Sequence, residues 1–423
     1  MRTFCLYICF ISFVLFTVSV EAKRVRVTSF EDFANNCEHK VTYVVSTKVD
    51  CFGKAITLAP GSKVFFKNKG AIYNVSLILK GDSKIINGRF YIDKDYIVND
   101  VVILEGNYNK ILNTHIDGGL SRTRFGISAF NAKYTEINGC IVSNIGNSEN
   151  NTGGVRFDGD CSYSSIINTS ITNINALTNA SGIAINQIAK QQLYSLNIIV
   201  ERCTISNVLP SVDGDGIKIL QNHLPANHRI SHCCFFNCAK RAIKIQGKGV
   251  QCIDNYVYGG CSESIIDYQN GDCFINGLKA ENLEEIYAGL YIQGSEGPVV
   301  IKNVDIIANN TNKKYVRGIK IKRSSWDMNT AIPSIDIDNC NISRFYMTMS
   351  ITGFSMIEDL TINNCVFQSV VNPIDINVPV SKLRIKNVVD CLLAGERQSL
   401  SFPLLNECRV AIVEIEKNDR TNN

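Results

Sequence analysis

The chain has one tryptophan, eight prolines and five histidines among 423 residues, and only 19% of its residues are charged. So little proline excludes a Pro-rich linker or polyproline rod. Hydrophobic residues make up 45%, enough for one large domain or two ordinary ones to bury a core. A formal net charge of +4 is too small to argue for nucleic acid or an anionic membrane as partner. Beyond residue 22 no stretch is apolar enough to cross a bilayer.

The one long hydrophobic run stands at the start. "MRTFCLYICFISFVLFTVSVEA" has a single early charge, Arg2, then no other charge before Glu21, and a small residue at Ala22. This predicts a secretory signal peptide over 1–22, and a secreted, periplasmic or cell-surface protein with no membrane span after cleavage. An uncleaved anchor helix is the alternative. Seventeen cysteines are present, and Cys5 and Cys9 leave with the signal. The remainder is odd, so at least one is unpaired. Cys37 and Cys51, close together in sequence, are the disulfide candidates.

One short phrase recurs: an aliphatic residue, two polar or small residues, a small buried-type residue, then a second aliphatic. It reads "ILNTHI" (111–116), "INGCIV" (137–142), "IINTSI" (166–171), "VERCTI" (200–205), "ISHCCF" (230–235), "IKNVDI" (301–306), "IDNCNI" (337–342) and "INNCVF" (362–367). Its fourth position runs from Thr114 to Cys365 and, with a weak copy near Gly277, steps by about 28 residues. Cys140, Cys203, Cys233, Cys340 and Cys365 share that position, where thiols pack inward as small hydrophobes. Between copies lies a second phrase, a small residue followed by apolar–x–apolar, as in "GVRFD" (154–158), "GIAIN" (182–186), "GIKIL" (216–220), "AIKIQ" (242–246) and "GIKIK" (318–322). Alternation with period two marks a strand with one buried face. A unit so small cannot bury that face alone, so the copies must stack into a β-solenoid.

The pattern resembles the right-handed parallel β-helix of the pectate-lyase-like superfamily, of the secreted bacterial polysaccharide-active type, over roughly residues 100–390. The expected architecture is all-β, a parallel β-helix of about ten coils. An N-terminal cap and first coils would take 23–100, the β-helix 101–393, and a C-terminal cap and tail 394–423. "TSFEDFANN" (28–36) reads as a helical turn or two with Thr28 or Ser29 as N-cap.

In the second phrase the x positions point outward. One outward row reads Ser128, Arg156, Ala184, Lys218, Lys244, Ile266, Tyr291, Lys320 and Asp375. The next reads Phe130, Asp158, Asn186, Leu220, Gln246, Tyr268, Gln293, Lys322 and Asn377. Stacked strands lie about 4.8 Å apart, which sets Lys218 beside Lys244. Two ammonium groups so close repel unless an anion or carboxylate lies between them. Asp213 and Asp215 precede the Lys218 strand, and His223 follows it. The aspartates have three readings: turn chemistry at a strand entrance, a Ca²⁺ site, or catalysis. "KRAIKIQGKG" (240–249) holds Lys240, Arg241, Lys244 and Lys248 with no acid among them, which suggests an anionic ligand.

The resemblance implies action on a polysaccharide laid along this strand face, and the cations point to an acidic one. A lyase needs a cation to neutralise a uronate carboxylate and a base to remove the C5 proton. Lys244 or Lys218 would be that base, Arg241 the carboxylate clamp, and Asp213 and Asp215 would orient the base or hold Ca²⁺, the one cofactor considered. Arg156, Asp158, His223, Gln246, Tyr268, Tyr291, Gln293 and Lys320 would line the substrate groove. A glycoside hydrolase would need two carboxylates, Asp213 or Asp215 with Asp158. The hydrolases of the superfamily carry a Gly-His-Gly turn after paired aspartates, and this sequence has none. The third class is a non-catalytic glycan-binding or structural solenoid.

Overall fold

The computed structural model describes residues 23–392 apart from 121, 147–150, 210–211, 270–271, 295–296, 310–314, 325–330 and 370–373, and also describes 413–416. The expected signal peptide and most of the expected C-terminal cap lie outside the described residues.

The alternating phrases become strands of one face of a parallel β-helix. Thr123–Phe130, Asn151–Asp158, Asn179–Asn186, Asp213–Pro225, Arg241–Lys248, Ser264–Gln269, Ala288–Gln293, Arg317–Lys322, Met347–Thr352 and Ile374–Asn377 pair in chain order, each parallel to the next. We call this sheet the wall. Its inward positions form columns. Ile127, Val155, Ile183, Ile217, Ile243, Ile266, Leu290, Ile319, Met349 and Ile374 stack in one, all buried. Each such side chain contributes about 1.5–3 kcal/mol when fully removed from water, so the repeated column carries the fold.

A coil has two further strands. After Asn151–Asp158 come Ser165–Ile167 and Ser170–Asn175, and the next coil repeats the plan with Ile199–Glu201 and Thr204–Val208. The corner between these short strands is the third position of the first phrase. A left-handed residue sits there in every coil, including Asn113 (φ 48°), Asn168 (φ 50°), Asn339 (φ 52°) and Asn364 (φ 50°). Asparagine tolerates that region better than other residues with a Cβ, which accounts for its recurrence. The fourth position then turns inward: Cys140, Cys203, Cys233, Cys340 and Cys365 are all buried, with free thiols. The coil near Gly277 contributes Leu278, which stacks between Asn255 and Val304.

The solenoid has about twelve coils rather than about ten. At the N-terminal end Lys48–Leu58, Ala71–Leu79 and Val98–Glu105 also stack in the wall beneath Thr123–Phe130. The expected helix is one turn, Phe30–Ala34, with Ser29 as N-cap and the Ser29 N–H donating to Asp32 at 3.0 Å. The expected Cys37–Cys51 disulfide is not formed. Cys51 points into the core, whereas Cys37, past the helix, donates to the Ala34 carbonyl at 3.4 Å. No helix among the described residues is long and apolar enough to cross a membrane.

Candidate functional site

The first outward row of the wall is Ser128, Arg156, Ala184, Lys218, Lys244, Asp267, Tyr291, Lys320, Ser350 and Asp375 in register. Two of the residues expected to point outward are therefore out of phase, one of them the expected groove residue Tyr268. Ile266 and Tyr268 point inward, stacking on Ile243 and Ile245, and Tyr268 is fully buried. The Tyr268 hydroxyl donates to the Val250 carbonyl at 3.0 Å and accepts from the Val250 N–H at 3.1 Å. In "SIIDYQ" the small residue that marks the phase elsewhere is replaced by Ile265, so two adjacent isoleucines hide the alternation. The residue that takes the groove place is Asp267.

Lys218 and Lys244 are direct lateral neighbours, and the group between them is Asp213. Its Oδ2 lies 3.7 Å from both Nζ atoms. Both lysine side chains keep 14% of their surface exposed. Asp213 ends a column whose earlier members are Asn151 and Asn179, with the Asn179 amide donating to Asn151 at 3.0 Å. Asp215 stands above Ser181 and Gly153. The turn-forming reading of Asp213 thus holds for its column, and the replacement of Asn by Asp supplies a charge where the lysines begin.

Arg241 stacks on Asp215 and is almost wholly buried. One nitrogen, Nη1, donates to Asp213 Oδ1 at 2.7 Å and Asp215 Oδ1 at 2.8 Å. Nη2 pairs with Glu263 at 2.8 Å, and Nε lies 3.2 Å from Asp267, off the N–H axis. Lys240 reaches Glu263 from outside at 3.2 Å. Lys240, Arg241 and Lys244 of the acid-free run are therefore opposed by acids from the coils on either side, and with Lys218 they make four bases facing four acids. Arg241 does not present a free fork to a ligand; its guanidinium is enclosed by Asp213, Asp215, Glu263 and Asp267. Nor do Asp213 and Asp215 fit Ca²⁺, because the Arg241 nitrogen occupies the position between them that a bridging cation would take. Among the described residues no cluster of three or more metal-ligating side chains occurs.

These contacts divide the carboxylates. Burial raises the Asp213 carboxyl, but Arg241, Lys244 and Lys218 outweigh it, and the net position is below the ordinary aspartate range. Asp215 is fully buried, its Oδ2 has no hydrogen-bond partner, and burial pushes its carboxyl above that range despite Arg241. Burial likewise raises Asp267, against hydrogen bonds from Gln293 (2.8 Å) and Gln269 (2.7 Å). Gln246 in turn donates to Gln269 at 2.7 Å. Gln246 and Gln293 are thus brought together around Asp267 as its supports.

Toward the N-terminal end the wall opens into a groove of about 270 Å³ lined by Arg124, Phe125, Arg156, Asp158 and Lys218. The Arg156 guanidinium lies 4.1 Å from the Phe125 ring centre and 2.8 Å from Asp158. Asp158 also accepts from Asn186 at 2.9 Å. The carboxylates of the hydrolase alternative, Asp213, Asp215 and Asp158, are all engaged by arginine. Toward the C-terminal end Lys320 sits 4.4 Å over Tyr287 and 5.3 Å over Tyr291, and donates to the Tyr287 hydroxyl. The His223 side chain lies outside the described residues. Sequence reasoning missed Asp267, Glu263, Gln269, Arg124 and Tyr287. Only Asp267 left a signal, as the single charged residue inside an apolar strand.

No protein-family model matches the chain, and no curated protein matches it. Solved structures do. The PL6 family alginate lyase AlyGC is similar with a TM-score of 0.51 and 11% identity over 87% of this chain, which spans about half (53%) of that protein. A mannuronic acid specific polysaccharide family 6 lyase from human gut microbiota gives a TM-score of 0.45 and 11% identity, covering 87% of this chain and 91% of that one. A tailspike protein of Acinetobacter baumannii bacteriophage Fri1, a capsular polysaccharide depolymerase, gives 0.36 and 11%, covering 89% and 61%. At such identity the likeness is one of fold, and the fold is a right-handed parallel β-helix.

Proposed function

We propose that this protein is a secreted enzyme that cleaves an acidic, uronate-containing polysaccharide by β-elimination on the wall. The observation that carries this reading is the Lys218–Lys244 pair, part-exposed over one carboxylate, with Lys218 lining a groove that also holds two arginines. In the reaction a base removes the C5 proton, the electrons of that bond form the C4–C5 double bond, and the C4–O4 bond breaks as O4 takes a proton. Lys244 or Lys218 acts as the base, and the other stands beside the substrate carboxylate and stabilises the charge that develops there. Arg241 is a positioning residue in this scheme. It fixes Asp213, which holds both lysines in place. Secretion follows from the charge-poor apolar start of the chain, residues 1–22.

The test is a panel of acidic polysaccharides, followed by the ultraviolet absorbance of unsaturated uronate ends, with and without chelator. Product formation is expected with at least one polymer and without dependence on chelator. Alanine at the base, Lys218→Ala or Lys244→Ala, abolishes it. A binder would show affinity for a glycan with no new absorbance, and a hydrolase new reducing ends with no new absorbance. Either result would replace the elimination reading.

A further inference from the structure

Each coil bends before it enters the wall, and a left-handed residue holds the bend: Asn144 (φ 57°), Asn173 (φ 57°), Asn207 (φ 53°), Asn237 (φ 52°) and Asn282 (φ 57°) among them. Their side chains form a ladder in which each amide donates to the coil before it. Asn173 reaches Asn144 at 3.1 Å, Asn207 reaches Asn173 at 3.2 Å, Asn237 reaches Asn207 at 3.4 Å, and Asn309 reaches Asn282 at 2.8 Å. One rung is missing. The pairing of Cys238 with Gly260 and of Tyr258 with Glu281 puts Gly259 (φ 67°) between Asn237 and Asn282. No hydrogen bond from the described residues reaches Asn237 Oδ1 or leaves Asn282 Nδ2. A Cβ on Gly259 would lie 3.0 Å from the first and 3.8 Å from the second, so an acceptor and a donor face the same empty place. The next residue, Gly260, has to be glycine, since a Cβ there would fall 2.6 Å from the Cys238 carbonyl oxygen. Gly259 does not, because its Cβ would meet only the movable end of Asn237, and asparagine takes this backbone conformation in the coils on both sides. The gap opens into a cavity of about 270 Å³ that is also lined by Ala239, Ser262, Glu284 and Glu285. The Ser262 hydroxyl donates to the Ala239 carbonyl at 2.8 Å, and no basic residue lines the cavity.

We propose that this cavity binds the acetamido group of an N-acetylated sugar as the missing rung. A trans secondary amide holds its N–H and C=O in opposite directions. Seated over Gly259, the N–H donates to Asn237 Oδ1 and the C=O accepts from Asn282 Nδ2, which is the polarity of the ladder on both sides. A hydroxyl is also donor and acceptor, but on one atom, whereas the amide separates the two as the gap does. A peptide strand has no place here, because Gln251–Gly260 is already paired on both sides and offers no edge to extend. Glu284 and Glu285 disfavour a uronate, so this ligand is not the acidic sugar proposed for the wall. The site lies on a corner of the solenoid, outside the wall, and it stands without the elimination reading.

The experiment is titration followed by saturation-transfer NMR, with N-acetylglucosamine and N-acetylgalactosamine and with glucose and galactose as counterparts that lack the amide. One of the N-acetylated sugars is expected to bind the full chain roughly 10- to 100-fold more tightly than its parent sugar, the effect of two added hydrogen bonds. Gly259→Asn supplies the rung from the protein itself, so it should keep the fold and bind the N-acetylated sugar no better than the parent one. Asn282→Ala removes only the donor and should lose part of the affinity. The proposal is overturned if neither N-acetylated sugar is preferred over its parent, or if folded Gly259→Asn binds it within about twofold of wild type. It is overturned also if asparagine, offered as its N-acetyl amide, binds as tightly as the sugar, since the site would then take a protein amide. The readout needs no cleavage, so this binding with no unsaturated product from any polymer sinks the elimination reading alone.

Discussion

Replacing Arg241 with methionine tests whether the buried charge cluster organises the wall. The substitution keeps most of the side-chain volume but leaves Asp215, Asp267 and part of Asp213 without their counter-charge in a site where Arg241 is almost fully shielded. Removing one partner from a buried ion pair costs about 3–5 kcal/mol, because the remaining charge stays desolvated. The loss should depend on pH in a stated direction. In the folded protein Asp215 and Asp267 already lie above the ordinary aspartate value. Raised acids bind protons more readily folded than unfolded, so they oppose folding at high pH and cease to do so as pH falls below the ordinary value. Without Arg241 both rise further. Asp213 and Glu263 work the other way: Arg241 holds them low, and the stability they confer is present above the ordinary carboxylate range and lost as pH falls through their folded values. R241M removes most of that favourable contribution as well. The deficit of the variant should therefore be largest near neutrality and shrink toward pH 4. Urea midpoints for both proteins across that range measure it, compared as midpoints because a stacked solenoid need not unfold in two states. A deficit below about 1 kcal/mol at neutral pH, or one that does not change with pH, would refute the assignment of buried charge to this cluster.

Three further expectations follow from the coil geometry. Tyr268→Phe should cost about 1–3 kcal/mol, since it strands the Val250 N–H and carbonyl in the core, yet leave glycan affinity unchanged because the ring faces inward; a loss of affinity would restore Tyr268 to the groove. At the Asn339 corner, alanine should be less stable than glycine by about 1 kcal/mol in urea midpoints, reflecting its φ of 52°, and equal stabilities would contradict the left-handed geometry. Of the cysteines whose burial is described, Cys37 and Cys234 should label with a water-soluble thiol reagent in the folded protein, whereas Cys51, whose thiol burial pushes up to about 12, and the Cys140–Cys203–Cys233 column should label only on unfolding. Rapid labelling of the column would mean the interior is open.

What could be read from the sequence, and what could not, divides along the direction of the chain. Within a coil the information is local. The third residue of the first phrase, Asn in several coils but Arg202 and His232 in others, adopts a left-handed corner, the next residue turns inward, and the strand alternates, so the solenoid and its thiol column were legible from the repeated phrase. Across coils the information is a register, and it survives only where every coil keeps its phase mark. Lys218 and Lys244 follow Gly216 and Ala242, so their contact was legible; Asp267 follows Ile265, so its place was taken by Ile266, one residue away. A one-residue slip exchanges the two faces of a strand, and for that reason the same error hid an acid from the groove and put a core tyrosine into it. It also explains the cationic run. Lys240, Arg241 and Lys244 look unopposed along the chain because their acids, Asp213, Asp215, Glu263 and Asp267, come from the coils before and after. In a solenoid a charge is balanced sideways, at the strand spacing, so the surplus that can attract a ligand has to be counted over three neighbouring coils. Counted that way, Lys240, Arg241, Lys244 and Lys218 are met by Asp213, Asp215, Glu263 and Asp267, and the run that looks cationic along the chain is balanced in space.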